Sequence, residues 1–224
     1  MKVLTAAQMR EADARATAEF KVPSLTLMEN AGAAAAQLAI SRYGPEAAGR
    51  AVILCGKGNN GGDGLVAARQ IKERISGAQP LVLLFAAANT LKGDAATNLG
   101  RLQKAGGTIR VVADASAWEK ERAAVASAPL VMDALLGTGL AGPVEGLLGA
   151  VIEHVNSACH RSRVLSLDIP SGMASDTGDS PGPVVRAGAT LSFAAPKLGM
   201  LLAPNCNSVG TLGVVPIGIP PALL

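Results

Sequence analysis

An α/β fold built on a mostly parallel sheet is predicted for this 224-residue chain by three observations. Seven short apolar runs recur from residue 51 onward, at 51–55, 81–86, 109–112, 130–133, 164–168, 190–193 and 211–215. Most are separated by stretches of helical character. The runs are apolar without alternation, as in strands covered on both faces, where a half-exposed antiparallel strand would alternate.

The elements follow in order. Thr5 and Gln8 stand in capping-box spacing, and Leu4, Met9, Ala12 and Ala16 recur at helical intervals, so the chain opens with a helix. A second helix is expected from Ser24, just after Pro23, to about Arg42, closed by Gly44 and Pro45. Between the apolar runs, helices are expected over 65–75, 91–104, 118–126 and 144–158. The architecture these imply is a Rossmann-like three-layer sandwich with the N-terminal helices packed against it. No repeat, low-complexity linker or change of composition divides the chain, so residues 1–224 read as one domain. The segment 175–185, containing DTGDSPGP, reads as a long surface connection.

Composition excludes several classes. Only five residues are aromatic, against forty-two alanines and 26 glycines, so a stacking platform for single-stranded nucleic acid is absent. Twenty basic against 17 acidic residues leave a net charge of +3 with no basic run, which calls for neither nucleic acid nor an anionic membrane. Cys55, Cys159 and Cys206 are an odd number at wide spacing, which argues against a disulfide framework or a zinc site. The start lacks an apolar leader segment, and the longest apolar run, 81–88, is too short to cross a bilayer. A soluble, cytoplasmic protein is expected.

In open α/β sheets ligands bind beyond the carboxyl ends of the strands. Three strand ends carry unusual sequences. GKGNNGGDG, residues 56–64, follows the first strand and precedes a helix, an arrangement that suits a diphosphate. Its GxGxxG spacing alone is a weak dinucleotide signal, because the strand over 81–86 ends in Ala87, Ala88 and Asn89 with no carboxylate for a ribose. A plain glycine-rich turn capped by Asp63 explains Asp63 but not the paired Asn59 and Asn60. Asp133 ends the fourth run and is followed by a flexible loop, with Pro143 placed for the first turn of the next helix. Asp168 emerges from the fifth run and is followed by Pro170, Ser171 and Gly172, where a dry strand end can tune a carboxyl as acid or base. Asn60, Asp133 and Ser171 together offer oxygen ligands with a single carboxylate, a set suited to a monovalent cation.

The motifs GKGNNGGDGLVAAR, DALLGTGLAGPV, LSLDIPSG and LSFAAPKLGM, preceded by Pro23 and LMENAG, resemble the NAD(P)H-hydrate epimerase family, also known as the YjeF N-terminal domain. The resemblance runs from about Leu4 to Pro220. It implies a metabolite-repair isomerase that interconverts the R and S forms of hydrated NADH and NADPH, in series with an ATP- or ADP-dependent dehydratase. It further implies substrate contacts from Asn59, Asn60, Gly61, Gly62 and Asp63, and from Gly137, Thr138, Gly139, Leu140, Ala141, Gly142 and Pro143. A potassium ion is implied on Asn60, Asp133 and Ser171, with Asp168 and Lys197 nearest the chemistry. Asp168 is expected to be the acid/base, to touch substrate, and to be oriented or tuned by Lys197. Family members commonly carry Asp at the positions of Gly188 and Pro216, outside the expected site. In many bacterial members a dehydratase domain follows, so the chain reads either as a stand-alone epimerase or as part of a bifunctional protein. A homodimer through the N-terminal helices is compatible with the sequence. Two other readings stay open at this level: an NAD(P)-dependent oxidoreductase and a non-catalytic nucleotide-binding scaffold.

Overall fold

The computed structural model describes residues 2–140 and 142–224. Seven strands form one parallel sheet: β1 Val52–Cys55, β2 Leu81–Leu84, β3 Thr108–Val111, β4 Val131–Ala134, β5 Val164–Leu167, β6 Ala189–Phe193 and β7 Thr211–Val215. Their spatial order is β3-β2-β1-β4-β5-β6-β7. Each lies within two residues of its apolar run. The inner strands β1, β4, β5 and β6 are buried on both faces, which needs an unbroken apolar stretch. The edge strands β3 and β7 are largely exposed or half-buried, against the expectation of two covered faces. The helices are α1 Ala6–Ala18, α2 Ser24–Tyr43, α3 Pro45–Gly49, α4 Asn59–Arg74, α5 Gly93–Lys104, α6 Ala115–Ser127, α7 Gly146–Ala158 and α8 Cys206–Val209.

The alternation of side chains along the strands divides the core in two. Ile53, Cys55, Val82, Leu84, Met132, Leu165 and Leu167 face the layer of α1, α2, α4 and α5. Val52, Leu54, Leu83, Val131 and Val164 face Trp118, Val125, Val151, Ile152 and Val155 of α6 and α7. The connections from β5 to β6 and from β6 to β7 contain no long helix, and a small separate cluster of Ile169, Met173, Met200 and Val209 covers that end of the sheet. α1 begins with the expected capping box between Thr5 and Gln8. The N-terminal layer therefore packs against the sheet as expected.

Two local expectations are corrected, at the start of α4 and at Pro143. α4 starts at Asn59, six residues before the expected helix, so Asn59, Asn60, Gly61, Gly62 and Asp63 form its first turns and are not a loop. Asp63 lies inside the helix and Gly58 is the N-cap. Glycine is unfavourable in a helix on propensity alone, yet a Cβ at Gly61 would stand 1.9 Å from the Gly56 carbonyl oxygen, so the tight approach of helix to strand end requires it. Pro143 is not in the first turn of α7, which begins at Gly146 behind Glu145. Pro45 opens the short α3 as well as following the end of α2. The connection 175–185 is a surface segment as expected, exposed or half-buried over 176–184 and anchored by buried Ser175 and Val185 at its ends.

Leu65, wholly buried on α4, anchors the helix that carries the glycine-rich turn. Leu65→Ala is expected to cost about 2–5 kcal/mol of stability, read as a lowered midpoint of urea unfolding.

Candidate active site at the carboxyl ends of the strands

β1 pairs with β2 on one side and β4 on the other, so chain direction across the sheet reverses there and a crevice opens beyond the strand ends. Every strand end singled out from the sequence borders this crevice or the adjoining ends of β5 and β6.

The centre is Asp168, the residue directly after β5. It has a φ of +63°, rare for a residue with a side chain, and its neighbours close a γ-turn in which Ile169 N donates to Leu167 O at 2.8 Å. The adjacent strand repeats the turn: Ala194, with φ +64°, follows β6, and Ala195 N donates to Phe193 O at 2.8 Å. Such conformations cost about 1–3 kcal/mol each and persist where surrounding contacts hold them. Lys197 supplies those contacts. Its ammonium donates to Asp168 Oδ1, to Ser192 Oγ at 2.9 Å and to Phe193 O at 3.1 Å. The side chain of Lys197 is 1% exposed and that of Asp168 17%. A buried lysine is tolerated only when fully paired, and here its three N–H bonds are all used.

Beside this pair lies the expected oxygen cluster. Asp133, wholly buried at the end of β4, accepts from Ser166 Oγ at 2.8 Å, from Ser171 N at 2.9 Å and from Ser171 Oγ. Leu136 N donates to Ser171 Oγ at 2.9 Å, and Asn60 Nδ2 donates to Leu136 O at 2.8 Å. The structure thus links Asn60, Asp133 and Ser171 through Leu136. Two details fit a cation. Asn60 Oδ1 is buried without a partner, and Asp133 forms no ion pair among the described residues. Burial pushes the Asp133 carboxyl above the usual carboxylate range, against the lowering pull of the Ser171 and Ser166 hydrogen bonds. A further contact, from Leu135 N at 3.4 Å, is too long to occupy Oδ1 fully.

The rest of the expected lining falls around these groups. Gly62 N makes its helical bond to Gly58 O, leaving the amides of Asn59, Asn60 and Gly61 without intrahelical acceptors at the start of α4, where an anionic group is favoured. Asn59 is exposed, while Asn60, Gly61, Gly62 and Asp63 are buried. Gly137 packs on Asn60, Thr138 O accepts a long hydrogen bond from Ser175 Oγ, and Gly139, Gly142 and Pro143 are exposed, with Leu140 half-buried. Ala141 lies outside the described residues. Phe193 frames the site with its backbone only; its ring is buried in the core.

Three contributions were missed by sequence reading, those of Leu4, Asp176 and Asp13. Leu4 forms a parallel bridge with Lys197: Leu4 N donates to Pro196 O at 3.0 Å and Leu198 N to Leu4 O at 3.1 Å. Asp176 fixes the start of α1 from the other side, accepting from Ala6 N at 2.7 Å. These bonds carry α1 to the site and bring Asp13 among its charges. The residue is solvent-accessible on the rim, yet its carboxyl is raised from 3.8 to about 6, first by desolvation, then by the charge of Asp168, with Lys197 opposing. Asp63 is raised well above the carboxylate range, first by burial, then by Asp168 and Asp13. The only sequence signal for Asp13 is its place beside the stripe of Met9, Ala12 and Ala16.

The fold and site together define a Rossmann-like α/β protein whose crevice holds a carboxylate–lysine pair beside an oxygen-lined cluster. The family model described as YjeF-related protein N-terminus matches residues 24–199, and the chain belongs to that family. It is 40% identical to an NAD(P)H-hydrate epimerase of Rhodopirellula baltica, over 99% of this chain and 86% of that protein. It is 44% identical to the bifunctional NAD(P)H-hydrate repair enzyme Nnr of Moorella thermoacetica, over 100% of this chain and 42% of the relative, so it spans about two fifths of that protein's length. The crystal structure of yeast ynu0 shares the fold, with a TM-score of 0.74 at 22% identity over 89% of this chain and 83% of that one.

Between pH 3.8 and about 6 the unfolded chain has released a proton that folded Asp13 retains, so stability falls as pH rises through this window. Asp13→Asn removes that contribution. Its urea midpoint is expected to gain on the wild type between about pH 4 and about pH 7.

Proposed function

We propose that the chain acts as an NAD(P)H-hydrate epimerase, interconverting the R and S forms of hydrated NADH and NADPH. The observation that carries this reading is the Asp168–Lys197 pair, buried at a strained strand end beside the helix start that suits a diphosphate. The activities for which the relatives are named support it.

The reaction asks little of the protein. The hydrated ring carbon C6 bears both the ring nitrogen and a hydroxyl. Protonation of the hydroxyl lets the nitrogen lone pair expel water, leaving a planar iminium-like carbon. Water returns to either face and loses a proton. Orientation and one proton-transfer centre suffice. Asp168, projected by its left-handed backbone and paired with the Lys197 ammonium, fits the acid/base role. Lys197 orients that carboxylate, while the free amides of Asn59, Asn60 and Gly61 suit the diphosphate. The exposed residues Gly139, Gly142 and Pro143, with Gly137, Thr138 and Leu140, are proposed as further substrate contacts.

Asn60, Asp133 and Ser171 would hold a potassium ion, which supplies charge neutralisation of Asp133 and fixes the turn at Leu136. The single carboxylate among these ligands favours a monovalent ion.

An oxidoreductase reading is disfavoured by the end of β2, where Ala87, Ala88 and Asn89 offer no carboxylate to a ribose. No described helix is long and apolar enough to cross a membrane. The proposal places the protein in the cytoplasm, in series with an ATP- or ADP-dependent dehydratase. The bifunctional relatives support a linked second activity. Exposed Phe20, at the end of α1, supports a homodimer through the N-terminal helices.

Chromatographic separation of the two epimers of hydrated NADH, with and without protein, tests the reading. The wild type is expected to speed their interconversion, and Asp168→Asn to slow it at least about 100-fold. An unchanged epimer ratio with wild type overturns the activity, and near-normal Asp168→Asn overturns the acid/base assignment. Thermal melting tests the ion: potassium in place of sodium is expected to raise the wild-type midpoint by about 2–4 °C and leave Asp133→Asn unmoved.

A further inference from the structure

We propose that Ser192 is a positioning residue of this site: its hydroxyl fixes the Lys197 ammonium, and through it the Asp168 carboxylate, in the geometry that proton transfer needs. The inference rests on the epimerase reading above and deepens it. It starts from two hydroxyls in an apolar strand. β6 reads ATLSF, and both Thr190 and Ser192 are wholly buried. Side chains alternate along a strand, so these two share one face, while Ala189, Leu191 and Phe193 join the core on the other.

The two hydroxyls are used differently. Thr190 Oγ1 donates to Val209 O at 2.7 Å, which ties β6 to the end of α8, and it has no other hydrogen bond among the described residues. Ser192 Oγ donates to Ala195 O at 2.8 Å and accepts from Lys197 Nζ at 2.9 Å. A carbonyl can only accept, so the single hydroxyl proton belongs to Ala195 O and a lone pair faces the lysine. Ser192 therefore has one orientation, and in it the hydroxyl is an acceptor for the ammonium.

The γ-turn holds that orientation. Ala195 N donates to Phe193 O at 2.8 Å, and Ala194 N donates to Val215 O of β7 at 2.8 Å. Phe193 O also accepts from Lys197 Nζ at 3.1 Å, and Phe193 N donates to Asp168 Oδ1 at 3.3 Å. Two of the three ammonium bonds thus end on consecutive residues of β6, and only the third crosses to Asp168. The end of β6 is the frame on which the ammonium is carried. Without Ser192 Oγ a single bond to that frame is left. The ammonium can then pivot, and the carboxylate it orients turns with it. Misplacing a reacting group by about 1 Å can cost about 100-fold in rate. Ser192, wholly buried, acts through Lys197 and does not touch the substrate.

The test compares wild type with Ser192→Ala, Ser192→Thr, Ser192→Cys and Thr190→Val in the interconversion of hydrated NADH epimers. Ser192→Ala is expected to lose about 10- to 100-fold in kcat with KM within about twofold of wild type. Ser192→Thr keeps the hydroxyl and is expected to stay within about threefold of wild type, with Ser192→Cys, a weak acceptor of similar size, falling between. Thr190→Val deletes an equally buried hydroxyl from the same face and is expected to lower the urea midpoint with kcat unmoved. The nitrogen-15 resonance of the Lys197 ammonium gives a readout independent of activity: its protons are expected to exchange with water about 10-fold faster in Ser192→Ala than in wild type or Ser192→Thr. A Ser192→Ala enzyme within about threefold of wild type, a Ser192→Thr enzyme as impaired as Ser192→Ala, or an equal loss in Thr190→Val overturns the proposal. If Ser192→Ala does not fold, the contrast between Ser192→Thr and Ser192→Cys carries the same decision. Wild type that does not interconvert the epimers overturns the functional reading instead, and the ammonium exchange then decides whether Ser192 fixes Lys197.

Discussion

A lysine ammonium with almost no access to water is the constraint on which the site depends. Lys197 is tolerable in the interior because a carboxylate, a hydroxyl and a carbonyl receive all its hydrogen bonds. Two of those acceptors exist only because adjacent parallel strands end in matching γ-turns. The turn at Ala194 tightens the chain around Phe193, whose carbonyl takes one bond, and the turn at Asp168 aims the carboxylate that takes another. The ion pair and the strained backbone thus stabilise each other. Breaking either leaves the other without support.

The remaining polar chemistry is arranged around charges that cannot all be neutralised by that lysine. Asp133 is wholly buried and satisfied by hydroxyl and amide donors, while Asn60 presents an unused oxygen nearby. Asp63 is held in a helical turn that glycines bring unusually near β1, and Gly32 allows α2 to close over the same turn: a Cβ there would sit 2.4 Å from Val66 Cβ and 2.7 Å from Asp63 O. Small residues on both helices therefore serve an electrostatic end. They bring helix backbone close, exclude water, and leave carboxyl groups in a medium where one neighbouring charge matters.

The sheet is legible in the sequence because each central strand is buried on both faces, and that requires continuous apolar runs. Asn60, Asp133 and Ser171 could be singled out for a related reason: ligands gather at strand ends, and each of these residues lies at or after one. The start of α4 was not, because glycine propensity opposes a helix and only the close approach of Gly61 to Gly56 explains it. Nor was the true start of α7, where Pro143 imitates a first-turn proline. Lys197 stood out only through the family resemblance, since a lysine among small residues normally reads as solvated. Asp13 and Leu4 were invisible because their meaning depends on partners more than 150 residues away in sequence.

That separation bears on how the chain is made. Leu4 and Ala6 are synthesised before the groups that hold them, Pro196, Leu198 and Asp176. A helix of thirteen residues is marginal in isolation. α1 therefore waits for the segment that gives it a place. A helix made earlier than its partners docks after them, and the carboxyl group it carries reaches the crevice only when the remainder of the crevice has been built.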